Sequence, residues 1–105
     1  MFEDLVTKTQ KAVDALGVDV KVTVERDDET GRLYLMGKFT QRLKFKGFDD
    51  MFVQETTLRE QVFPDVDTAF RLFMHYFTPN RIAHMNATDE EVMAYEGHPC
   101  HYPIA

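Results

Sequence analysis

The stretch "VDVKVTVERDDETGRLYLMGKF", residues 18–39, constrains this chain more than any other part of it. Val18, Val20, Val22 and Val24 alternate with Asp19, Lys21, Thr23 and Glu25, the two-residue period of a strand with one apolar face. Asp27, Asp28, Glu29, Thr30 and Gly31 then supply turn chemistry, with Gly31 suited to positive φ at the end of a hairpin loop. The return run places Leu33, Leu35 and Phe39 on one face, and Arg32, Tyr34, Met36 and Lys38 on the other. A hairpin with a single apolar face must be covered by another part of the chain.

Cover is predicted on both sides of it in sequence. Phe2, Leu5, Val6, Thr9, Val13 and Leu16 fall at helical spacing, and Gly17 follows where a left-handed cap favours a residue without Cβ. Downstream, Pro64 and Asp65 open a second helix. Its stripe is Val66, Phe70, Phe73 and Phe77, its polar edge is Asp67, Arg71 and His75, and Pro79 stops it. Thr88 with Glu91 forms a capping box that starts a short third helix ending near Gly97.

Between these parts two alternatives stand. The odd-numbered apolar parity continues through Leu43 and Phe45, so either one strand bends near Gly37 or two strands meet in a turn at Thr40 and Gln41. Asp49 and Asp50 suit a turn, and the run from Met51 favours a strand to about Leu58. Thr57 with Glu60 also fits a helix-capping box, which leaves residues 57–63 as strand or helix. The expected fold is α+β, a single domain over residues 1–105 in the order α-β-β-β(-β)-α-α. An antiparallel sheet has helices packed on one face, and residues 97–105 pack onto the domain.

Composition narrows the function classes. One hundred and five residues suffice for a core without staples, and a single cysteine makes no internal disulfide. No apolar run approaches the ~18 residues of a membrane span, and "MFEDLVTKTQ" has acids where a secretion signal carries bases. The expected location is cytoplasmic or otherwise intracellular, with no membrane partner. The net charge of −6 is unevenly spread: seven bases and four acids lie in residues 21–46, against three bases and ten acids in residues 47–105. That split serves either an acidic partner or internal complementarity.

Three candidate sites follow. The first is the helix "VDTAFRLFMHYF", whose apolar arc is wider than one sheet face requires. Phe70, Phe73, Met74, Tyr76 and Phe77, with Tyr102 from the tail, are the residue types protein interfaces favour, and they form the expected docking surface for another protein or a second copy. The same aromatics are alternatively covered by the tail "HPCHYPIA" acting as a lid.

The second is a basic strip, Lys38, Arg42, Lys44 and Lys46 on one strand face with Arg32 and Tyr34 nearby, which suits phosphates and base stacking. Its competitor is an ordinary charged sheet face, and the overall acidity favours the competitor. The third is His98, Cys100 and His101 around Pro99, a partial ligand set for zinc without the second motif that zinc sites use.

No GxSxG, phosphate-binding or dinucleotide-binding pattern is present, so no enzyme activity and no cofactor are expected. The α-β-β-β-α order is also that of the double-stranded-RNA-binding domain, but "PDVDTAF" carries acids where that family has lysines, and no family is assigned. The expected function is non-catalytic protein binding by a small adaptor, inhibitor or accessory factor. Compact acidic α+β proteins of this type are common among phage-encoded inhibitors and virion accessory proteins.

Overall fold

The computed structural model describes residues 2–62 and 65–104. They form four α-helices, three strands and one 3-10 turn in the order α1 (Glu3–Ala15), β1 (Lys21–Arg26), β2 (Leu33–Leu43), β3 (Phe52–Gln61), α2 (Val66–His75), α3 (Pro79–Met85), α4 (Asp89–Ala94) and the turn Pro99–His101. The sheet is antiparallel with strand order β1-β2-β3, so the fold class is the α+β arrangement expected. By contacts the chain divides into two compact units. One holds Met1–Phe39 with Thr57–Tyr76, the other Thr40–Thr56 with Phe77–Ala105, and β2 and β3 contribute to both.

The first unit is built on the hairpin. Lys21 to Arg26 pair with Lys38 to Leu33 in unbroken antiparallel register. Gly31 sits at φ +71° and donates its N–H to Asp27 O at 2.7 Å, which closes the loop. Val20, Val22, Leu35 and Phe39 are buried, so the alternating parity does define the covered face. Two helices cover it. Leu5, Thr9 and Val13 are the buried side of α1, which packs on β1 and α2. Ala69 and Phe73 are the buried side of α2.

Gly37 stays inside one continuous strand, and there is no turn at Thr40 and Gln41. A Cβ at Gly37 would lie 2.6 Å from Phe73 Cζ and 2.9 Å from Val20 Cγ1. The glycine therefore makes room for an aromatic ring of α2. With β2 running through to Leu43, the optional fourth strand is absent among the described residues. Residues 57–61 are strand, so Thr57 and Glu60 form no capping box. Pro64, expected to open α2, lies outside the described residues. Asp65 is the N-cap, its carboxylate accepting from Thr68 N–H at 2.8 Å.

The second unit holds the short helices. Pro79 does not merely stop α2, which ends at His75. It is the first residue of α3, capped by Thr78 accepting from Arg81 N–H at 3.3 Å. The Thr88–Glu91 capping box is present in both directions, at 3.1 and 3.2 Å. Ala87, Val92 and Tyr102 form a small core with Met51, Ala83 and Tyr95 against it.

Candidate functional site

The structure separates the aromatic residues into two groups. Phe73 is 1% exposed, Phe77 8% and Tyr102 9%, so these three belong to the interior and cannot form a free docking surface. Phe70 lies under the Lys8 ammonium at 4.3 Å, and Tyr76 packs against Phe39 with ring centres 5.9 Å apart. Met74 is half-buried. The expectation that these six residues together form a docking surface is corrected for Phe73, Phe77 and Tyr102, which are buried, while Phe70, Met74 and Tyr76 are half-buried.

The basic strip is largely consumed within the chain. Lys38 Nζ is 3.4 Å from Glu25. Arg42 is bonded to Asp89 and donates to Ala87 O at 2.6 Å, tying β2 to the residues around the start of α4. Lys44, whose side chain is 11% exposed, is 3.0 Å from Glu96. Tyr34 is stacked under the Arg59 guanidinium at 4.1 Å. Arg32 and Lys46 remain exposed. A phosphate backbone docking here would first have to displace carboxylates already seated on the three central cations.

The tail is held in place rather than extended. His98 caps the 3-10 turn, with Nδ1 accepting from Cys100 N–H at 3.1 Å and lying 2.8 Å from Cys100 Sγ. Tyr95 Oη donates to His98 O at 3.0 Å, and Asn80 donates to Tyr102 O. The turn packs on α3. His101 is exposed, its ring centre 6.4 Å from that of His98. Among the described residues no group of three or more His, Cys, Asp or Glu side chains is placed to share a metal ion.

Beneath the tail, His84 is 4% exposed and meets Tyr102 and Tyr95 edge-on at 5.2 and 6.3 Å. Burial, and then the electrostatic influence of Arg42 and of the His98 ring, hold its pKa below the ordinary histidine value.

A surface missed by the sequence expectations stands out at the tip of the β2–β3 hairpin. After Leu43 the chain leaves the strand, and Phe48 N–H bonds to Phe45 O at 3.2 Å. Gly47 takes φ +88°, a conformation that side-chain-bearing residues resist. This turn gathers three rings: Phe45 and Phe48 each meet Phe52 edge-on, with centres 5.3 and 5.4 Å apart. They are 47%, 56% and 41% exposed, and Val53 beside them is 61% exposed. A groove of about 400 Å³ adjoins the cluster, lined by Leu43, Lys44, Phe45, Lys46, Glu96 and His98 among others.

Two phenylalanines in a loop otherwise made of Gly, Asp and Lys were the available signal, since turn segments are normally polar. Comparison with protein-family models, with curated proteins and with solved structures finds no match for the chain.

Proposed function

We propose that the protein is a non-catalytic protein-binding module that docks a partner protein through the hairpin tip. One observation carries this reading: Phe45, Phe48 and Phe52 form a packed cluster of rings that stays 41–56% exposed. Isolated exposed apolar residues are ordinary, whereas a cluster of packed rings is the composition of an interface anchor. The adjoining groove adds a polar rim in the Lys44–Glu96 pair and the free Lys46. Such a surface fits a partner that inserts an apolar side chain between rings and rim, with the charged groups setting orientation. The role is that of an intracellular adaptor, inhibitor or accessory factor, a location supported by a lone cysteine that builds no disulfide scaffold.

The test is affinity capture from the producing cell with three immobilised forms: wild type, Phe48→Asp, and Lys11→Glu on α1 as control. All three are first matched for melting temperature. The reading expects one stoichiometric protein retained by wild type and control and lost with Phe48→Asp. It also expects the purified pair to rebind with affinity reduced at least ~100-fold by the substitution, the size of a hot-spot truncation. Equal retention by all three forms would contradict it.

A further inference from the structure

The two edges of the sheet are treated differently. On β1 the Gln10 side chain acts as a pseudo-strand: its amide donates to Val20 O at 2.8 Å and accepts from Val22 N–H at 2.9 Å. That occupies backbone groups an incoming strand would need. On β3 no such device is seen among the described residues. Among the described residues no strand lies beyond it, and none of its ten residues is buried. Val62 donates its N–H to Leu33 O at 2.9 Å. Alternation along the strand therefore turns the backbone groups of Arg59, Thr57 and Glu55 away from β2. A ten-residue edge strand of this type is a template for another strand.

The sequence of β3 selects which strand. Read from Thr57 outward, "FVQETTLREQV" is complementary to itself in the antiparallel sense. With two copies of Thr57 opposite each other, Glu55 faces Arg59 and Arg59 faces Glu55. Gln54 faces Glu60, Thr56 faces Leu58, and Phe52 faces Val62. Directly opposed residues lie on the same face of a sheet, so each Glu–Arg pair falls within reach. Arg59 is already held on the outer face by Tyr34 at 4.1 Å, with Asp27 at 3.9 Å. Centring the pairing on Thr56 instead sets Arg59 against Val53, and centring it on Leu58 sets Arg59 against Thr57. Both lose the ion pairs.

We infer that the β3 edge is a homodimer interface, pairing antiparallel with a second copy of this chain about Thr57 and making one six-stranded sheet. The opposed edges of two copies satisfy each other's outward N–H and C=O groups, and the two symmetric charge pairs fix the register. The dimer carries two hairpin tips. Each Phe52 sits opposite Val62 of the second copy, so the two Phe52 positions lie about 33 Å apart along the paired strands at ~3.3 Å per residue. This goes beyond the docking function and stands independently of it.

The experiment is native mass spectrometry with sedimentation velocity on the untagged full chain. Wild type is expected at twice the 12.3 kDa chain mass. Glu55→Arg and Arg59→Glu each place like charges opposite one another and are expected at the single-chain mass while melting as folded proteins. Mixed in equal amounts they are complementary again, and a one-to-one heterodimer is expected. Because a misfolded variant cannot be rescued by mixing, the mixture keeps the inference testable if either variant is less stable. Wild type at the single-chain mass at the highest soluble concentration would overturn it. So would single variants that remain dimers, or a mixture that yields no heterodimer. Phe48→Asp is expected to dimerise as wild type does, so loss of partner docking and loss of dimerisation are read apart.

Discussion

At the scale of single residues, the contact between Gly37 and Phe73 joins the sheet to α2. Gly37→Ala is expected to lower unfolding stability by about 1–3 kcal/mol, because a methyl group cannot enter that space without displacing the ring. A urea midpoint unchanged from wild type would contradict this. The glycine was visible in the sequence as an interruption of a strand, but its cause was not, since the ring that needs the room is thirty-six residues away. His84 gives a second residue-scale expectation. Its folded pKa is depressed below the ordinary 6.5, so between those two values the unfolded chain binds a proton that the folded one declines. Its contribution is full above about pH 6.5 and is lost as pH falls from there toward the folded pKa. The urea midpoint should drop between about pH 7.5 and about pH 5 in wild type. In His84→Phe, which keeps a ring against Tyr95 and Tyr102, it should drop less. An identical drop in both would exclude His84 as the source.

Among the elements, those whose signals are local were readable and those decided by distant partners were not. The β1–β2 hairpin declares itself through valine alternation and a turn ending in glycine, and α4 through its capping box. Helix α3 is hard to read because Pro79 serves equally as a stop to α2 and, with Thr78 as N-cap, as the first residue of a new helix. Both roles follow from the same missing N–H, and only the chain after it, Ile82 and His84 turned inward, distinguishes them. The segment 57–61 fits a capping box by spacing alone, yet hydrogen bonding to β2 holds it as strand. The C-terminal turn packs on α3, with Pro99 and Tyr102 buried. Tyr102→Ala is expected to lower stability by about 3 kcal/mol, as for other large aromatic truncations in a core. Deleting residues 98–105 should lower it further. Thermal melting of the two forms measures this, and melting like wild type in the deletion would show that the tail covers nothing.

For the whole molecule, part of the uneven charge read from the sequence is matched internally. Arg42 of β2 and Lys44 just after it pair with Asp89 and Glu96. Among the exposed large apolar side chains, Phe45, Phe48 and Phe52 are gathered as packed rings at the hairpin tip. The aromatic surplus in the sequence pointed to an interface of this composition. Helical periodicity points instead to the stretch 66–77, although Phe73 and Phe77 there are core. The tip lacked any periodicity that marks exposure, and only the fold shows that nothing in its own unit covers those rings.

The most direct measurement of the docking account is site-specific photo-crosslinking in the producing cell, with a photoreactive phenylalanine at position 48 and, separately, at position 11 on α1. The account predicts one crosslinked protein partner at position 48 and none at position 11. Equal crosslinking at both positions, or none at 48 with the protein folded and present, would contradict it.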